Sequence, residues 1–111
     1  MKLTTTTFVS VDGVMQGPGS PDEDRSGGFE RGGWTTLVFD NETATFVRPV
    51  CQRADAFLLG RRTYQIFAGS GGAMADRGDN PIAVALNTLP KCVASTTLTD
   101  PRWPNTSVLS K

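Results

Sequence analysis

Apolar and polar positions divide this chain into short ordered runs separated by stretches rich in glycine and proline. Residues Leu3 to Val11 combine Thr, Val and Phe, which fit a pleated, half-buried surface, and Asp12-Gly13 closes the run. A first strand is expected there. From Gln16 to Gly33 the composition changes: Gly17, Pro18, Gly19, Ser20, Pro21, Gly27, Gly28, Gly32 and Gly33 surround Asp22, Glu23, Asp24 and Arg25. This reads as a loop of about 18 residues, long for a compact domain and therefore functional or mobile. A linker between domains is the bland alternative, but too little chain precedes it to form a domain.

Asp40 has the residue type of a helix N-cap, with Asn41 and Glu42 in the first turn near the positive end of the helix dipole. Phe39, Phe46, Val47, Val50, Cys51 and Ala54 recur at helical spacing and predict one apolar face. Pro49 falls inside that helix, removing a hydrogen bond and clashing with the preceding turn, so a kink or an early end is expected near it. Ala56-Phe57-Leu58-Leu59 is a short apolar run without polar alternation, as in a parallel strand covered on both faces. Arg62 to Phe67 reads as a short helix, Gly69 to Gly72 as a flexible loop, and Pro81 as the first residue of a helix reaching Ala85 or Leu86. Cys92 to Ser95 predicts a third strand, Thr99 to Arg102 a turn, and Thr106 to Ser110 a fourth strand. The order of helix, strand and helix around Leu58 points to α/β architecture in a single domain.

Composition narrows the functions available. The 111 residues suit one small domain, with 38% apolar and 20% charged residues as in globular proteins. Eleven basic residues balance eleven acidic ones, so no excess charge is present for general nucleic-acid binding. No apolar run is long enough to span a membrane, and the start of the chain lacks a signal peptide's apolar core. A cytoplasmic protein is expected. Cys51 and Cys92 form no CxxC pair and read as reduced, buried structural thiols. Histidine is absent, which excludes Ser-His-Asp and Cys-His catalysis and His-based metal sites.

Four constellations could carry chemistry. In Leu58-Leu59-Gly60-Arg61-Arg62-Thr63-Tyr64 a strand feeds a helix through glycine. The first helical amides lack internal partners and favour an anion, glycine admits a phosphate closely, and Arg61 and Arg62 supply paired donors. The competing reading is an ordinary strand–helix junction with two solvated arginines. Ser10-Val11-Asp12-Gly13-Val14-Met15 ends a strand where ligands of open α/β sheets sit, or is a plain turn. Trp34 and Asp40 flank a helix entrance; a carboxylate in an apolar pocket can handle protons, while a cap and a core aromatic are the simpler roles. Ser95-Thr96-Thr97 ends a strand and offers hydroxyls to a ribose or phosphate, or merely stops the strand. Asp22-Glu23-Asp24 lacks the remainder of a calcium loop, and Gly69 to Gly72 lacks the Gly-Lys-Ser/Thr of a phosphate loop.

Taken in order, Phe8-Val9-Ser10-Val11-Asp12-Gly13-Val14-Met15-Gln16, Pro18-Gly19, Gly27-Gly28-Phe29-Glu30-Arg31-Gly32-Gly33-Trp34, Ala54 to Tyr64, Leu89-Pro90-Lys91 and Ala94-Ser95-Thr96-Thr97-Leu98 span nearly the whole chain. This order resembles the bacterial dihydrofolate-reductase-like proteins that share a domain with the riboflavin-biosynthesis deaminase-reductase. The resemblance implies a three-layer α/β fold with a mostly parallel central sheet. It also implies hydride transfer from NADPH to a pteridine-like or pyrimidine-like substrate. Gly60, Arg61, Arg62 and Thr63 would hold the 2'-phosphate and pyrophosphate side of NADPH. Ser95 and Thr96 would meet the adenosine ribose end. Asp12, Gly13, Val14 and Met15 would lie near the nicotinamide, and Asp40, with Trp34 upstream, would bind substrate. Asp12 and Asp40 are thus the candidate catalytic acids.

Members of that family continue past Ser110-Lys111, and their second half supplies a Gly-rich turn on the cofactor pyrophosphate and the last strands of the sheet. The expectation is therefore a truncated fragment, or a homo-oligomer in which another chain covers the exposed sheet edge. A non-catalytic nucleotide-binding module and an inactive fragment stand beside the reductase as alternatives.

Overall fold

The structure, a computed structural model, describes residues 1–69 and 81–110. Two 3-10 turns, Ser26–Gly28 and Trp34–Leu37, are followed by helix α1 (Asn41–Gln52), strand β1 (Phe57–Gly60), helices α2 (Arg61–Ala68) and α3 (Pro81–Thr88), and strands β2 (Lys91–Ala94) and β3 (Thr106–Leu109). The chain divides into two compact units, Met1–Glu42 and Thr43–Lys111.

The first unit is held by its long loop. The Gln16 amide donates to the Ser26 carbonyl at 2.9 Å, and the Trp34 indole N–H donates to the Gln16 carbonyl at 3.0 Å. Gly33 N–H reaches the Gly17 carbonyl at 2.8 Å, and the Thr35 hydroxyl caps Pro18 at 2.6 Å. Gly33 adopts φ +76, and a Cβ there would stand 3.0 Å from the Pro21 ring, so the turn requires glycine. The stretch read as a long loop is thus closed by its own polar groups. The strand expected at Leu3 to Val11 is not formed. Strand propensity is only a preference for a pleated, half-buried surface, and among the described residues this segment has no ladder to join.

The second unit is a parallel sheet in the order β1-β2-β3. Among the described residues its three strands are the three expected here, and the missing one of the four expected is that at Leu3 to Val11. Phe57, Lys91 and Thr106 form one cross-strand row and Leu59, Val93 and Val108 another, both on one face. Tyr64 of α2, Leu86 of α3, Val93 and Trp103 form the buried core on that side, with Phe57, Leu59, Phe67, Ile82 and Leu98 against it. The other face carries Leu58, Cys92 and Ser107, then Gly60, Ala94 and Leu109. Leu58 is 56% exposed and Leu109 48%. The expectation that Leu58's strand is covered on both faces is therefore corrected: among the described residues only one face is covered.

Parallel strands need a crossover. Between β2 and β3 that connection, Ser95 to Asn105, contains no helix, and the buried Trp103 packs where a helix would. The turn expected at Thr99 to Arg102 falls instead at Pro104-Asn105, where Asn105 takes φ 60 and its amide donates to the Thr88 carbonyl. Asn is among the few residues that tolerate this left-handed geometry.

α1 begins directly after Asp40 and continues three residues beyond Pro49, so the proline is contained within the helix and does not end it at once. Of the predicted apolar face only Val47 is buried, while Phe46 is 70% exposed. α3 runs to Thr88, longer than expected, because Thr88 and Leu89 still donate to Val84 and Ala85. The loop expected at Gly69 to Gly72 lies, from Ser70 on, outside the described residues. No helix among the described residues is long and apolar enough to cross a membrane.

Candidate functional site

The sheet is parallel, so β1, β2 and β3 all end at the same edge. Gly60, Ala94 and Leu109 share one cross-strand row there. α2 starts immediately after Gly60, and Ser95 follows immediately after Ala94. Neighbouring strands lie about 4.8 Å apart, so the Gly60 to Thr63 turn and the Ser95-Thr96 turn are adjacent. Two segments more than thirty residues apart in the sequence are thereby joined into one patch. In open α/β sheets this edge is where ligands bind.

The turn suits an anion. Gly60 caps α2 with an extended backbone, φ −78 and ψ 163, and among the described residues no side chain caps the first helical amides. Those amides carry the positive end of the helix dipole, and no acidic residue sits in the first turn to neutralise it. A Cβ at Gly60 would meet nothing within 4 Å. The backbone does not itself demand glycine here, and the space beside the turn is open. Arg61 lies along the helix with one guanidinium nitrogen 3.3 Å from the Gln65 side-chain oxygen. Arg62 and Thr63 are exposed, and among the described residues Arg62 has no acidic partner. A phosphate placed at this helix start would therefore meet orphan amides and an uncommitted guanidinium. The residues fit the phosphate end of a dinucleotide in that respect.

Ser95 and Thr96 take different parts. The Ser95 hydroxyl accepts from the Thr97 and Leu98 amides at 3.1 and 3.0 Å, and its own amide donates to Leu109 at 3.0 Å. Ser95 builds the turn. Thr96 is exposed at the bend.

The remaining candidates lie in the first unit. Ser10 to Val14 form a tight turn: Ser10 N–H donates to the Val14 carbonyl at 2.8 Å, and Val14 N–H to the Ser10 hydroxyl at 2.9 Å. Asp12 stands at its tip, fully exposed, accepting from the Ser10 hydroxyl. That bond holds the carboxyl below the ordinary value of 3.8, helped by the backbone and the Arg31 charge. Such a group is an acceptor near neutral pH, not a proton donor. Val14 is half-buried and Met15 exposed. Trp34 is half-buried and committed to Gln16, while Asp40 is exposed at the start of α1.

One unusual titratable group escaped the sequence reading. Lys91 is buried, its ammonium donating to the Leu86 and Leu89 carbonyls at 2.8 and 3.0 Å and lying over the Trp103 ring. Burial pushes its pKa down. It starts β2, at the sheet edge opposite the Gly60 turn, so it belongs to the core rather than to the patch. Lysine is ordinarily a surface residue, and nothing in its neighbours along the chain signals burial.

No protein-family model matches the chain, and no curated protein matches it.

Proposed function

We propose that the Gly60 to Thr63 turn and the adjoining Ser95-Thr96 turn hold the phosphate-bearing end of NADPH. The chain then serves a reductase of the dihydrofolate-reductase type, acting on a pteridine-like or pyrimidine-like substrate in the cytoplasm. The observation that carries this reading is the adjacency of the two turns at the carboxyl edge of the parallel sheet, beside helix amides that no side chain caps among the described residues.

Bound NADPH would supply hydride. Within the chain, the α2 amides and Thr63 would bind phosphate oxygens, and Arg62 would add a fixed charge. Arg61 would exchange its Gln65 contact for a second pair of donors. Thr96 would offer its hydroxyl to the ribose, on a turn that Ser95 makes rigid. By the resemblance, Val14 and Met15 would lie against the nicotinamide, Trp34 and Asp40 against the substrate, and Asp12 would accept a hydrogen bond or proton.

A binding module without turnover is the second reading. It is favoured by the phosphate patch lying wholly within the second unit, which supplies both turns by itself. Titration of the chain with NADPH and NADH, followed by an assay for nucleotide oxidation, separates the two. Binding with turnover supports the reductase, and binding alone supports the module. Arg61→Ala with Arg62→Ala should weaken NADPH far more than NADH, because only the former carries the 2'-phosphate. No binding of either nucleotide, or equal weakening of both, would overturn the phosphate assignment.

A further inference from the structure

Tyr64 carries a polar atom where packing alone asks for none. It is the buried residue of α2, 4% exposed, and it follows Thr63 directly. Leucine or phenylalanine would fill a core position there without a hydroxyl to satisfy. The Tyr64 hydroxyl instead accepts the backbone N–H of Trp103 at 3.1 Å, a residue 39 positions further along the chain.

Trp103 is a fixed point of the helix-free crossover from Ser95 to Asn105. Its indole N–H donates to the Asn87 side-chain oxygen at 2.7 Å, and its carbonyl accepts from the Thr106 hydroxyl at 2.6 Å. Near the other end of the crossover, the Ser95 amide donates to the Leu109 carbonyl. Leu98, whose N–H donates to the Ser95 hydroxyl, packs against the core cluster that contains Tyr64 and Trp103. The Tyr64 hydroxyl is where this braced crossover is hydrogen-bonded to α2. One side of the bond is the residue beside the Gly60 to Thr63 turn; the other is the segment that begins with the Ser95-Thr96 turn.

We propose that Tyr64 is a positioning residue, whose bond to Trp103 holds the Gly60 to Thr63 turn and the Ser95-Thr96 turn at one spacing. This rests on the reading of the two turns as one patch for the phosphate-bearing end of NADPH. The phosphates and ribose of a dinucleotide are joined covalently, so two turns grip them well only when their separation is set beforehand. Side chains locked by packing and by hydrogen bonds behind a site supply that preorganisation. Tyr64 is buried and acts through Thr63 on one side and Trp103 on the other.

The competing role is structural: the hydroxyl would merely satisfy a buried N–H and stabilise the core. Two variants of the full chain separate the roles, both studied at a low temperature where circular dichroism shows them folded. Tyr64→Phe removes the bond and keeps the ring. Leu86→Ala opens the same core from α3, leaves the bond in place and is at least as destabilising. In NADPH titrations, Tyr64→Phe should bind roughly three- to thirtyfold more weakly than the parent, and Leu86→Ala within about twofold of it. Amide hydrogen exchange gives a second readout that needs no nucleotide. At Ser95, Thr97 and Leu98 it should quicken in Tyr64→Phe more than in Leu86→Ala. Parental NADPH affinity in Tyr64→Phe, or equal losses in the two variants, would overturn the positioning role. A parent that binds no NADPH would overturn the nucleotide reading instead. The exchange rates then decide the tie alone: quickening confined to Tyr64→Phe supports it, and rates unchanged from the parent overturn it.

Discussion

The Lys91 ammonium sits 4.6 Å from the centre of the Trp103 ring and donates to the carbonyls of Leu86 and Leu89 at the end of α3. A buried lysine thus performs the task usually given to a C-terminal cap, and the indole face stabilises its charge. Two effects oppose each other. Desolvation lowers the pKa of Lys91, while donation to two carbonyls and the ring face favour a charged ammonium. Lys91→Met should cost about 1–3 kcal/mol, because it leaves two carbonyls short of a donor. Denaturant midpoints measure this, and a midpoint equal to or above the parent's would show that desolvation dominates.

The same residue sets a pH slope. Its folded pKa lies below the ordinary 10.5, so the unfolded chain binds the proton more tightly than the folded chain. Between the lowered value and 10.5 the unfolded state therefore holds more protons, and stability from this group rises with pH. Lys91→Met should abolish that part of the slope in melts recorded through the alkaline range. A slope that survives the substitution belongs to another group.

Tyr64 and Trp103 tie α2 to the β2–β3 crossover. The Trp103 amide donates to the Tyr64 hydroxyl at 3.1 Å, and the two rings lie 5.8 Å apart. Tyr64→Phe keeps the ring contact but leaves a buried N–H without an acceptor. About 1–3 kcal/mol of stability should be lost. An unchanged melt would mean that water or a shifted crossover replaces the hydroxyl.

Two glycines should respond in opposite ways. At Gly60 the backbone is extended and the Cβ position is empty, so Gly60→Ala should fold as well as the parent and weaken NADPH if a phosphate approaches there. At Gly33 the backbone has φ +76 and the Pro21 ring stands 3.0 Å from the Cβ position. Gly33→Ala should loosen the loop by about 1–2 kcal/mol through left-handed strain, read by proteolysis within residues 16–35. Equal behaviour of the two variants would contradict this contrast.

Asp12 owes its lowered pKa first to the Ser10 hydroxyl. Ser10→Ala should move the carboxyl back up toward 3.8, followed by NMR titration of Asp12. The contribution of this bond is present at neutral pH and is lost as pH falls through the folded pKa. An Asp12 titration indifferent to Ser10→Ala would leave the Arg31 charge and the backbone as its causes.

The local signals for β1, α2, α3, β2 and β3 were all legible. The apolar run Phe57-Leu58-Leu59 before Gly60, the helix-compatible Arg62 to Phe67, and Pro81 at a first helical turn each act within a few residues, where propensity and periodicity operate. The placement of a phosphate-suited turn at Gly60 was legible for the same reason, since a helix start exposes its amides wherever it occurs.

What propensity could not decide was pairing. Leu3 to Val11 has strand composition but no ladder among the described residues, because a strand exists only when another backbone meets it. Whether Leu58 is covered depends on elements far along the chain, and among the described residues it stays 56% exposed. Lys91 is buried by Trp103 and the end of α3, contacts that no neighbouring residue announces. By itself, the sequence determined the short helices and strands of the second unit, and a helix start after Gly60 of the kind that suits an anion. Only the parallel register, Gly60 beside Ala94 beside Leu109, decided that Ser95 and Thr96 adjoin that turn. Local order follows from backbone sterics and side-chain period, whereas a site is built by contacts between residues that the chain keeps far apart.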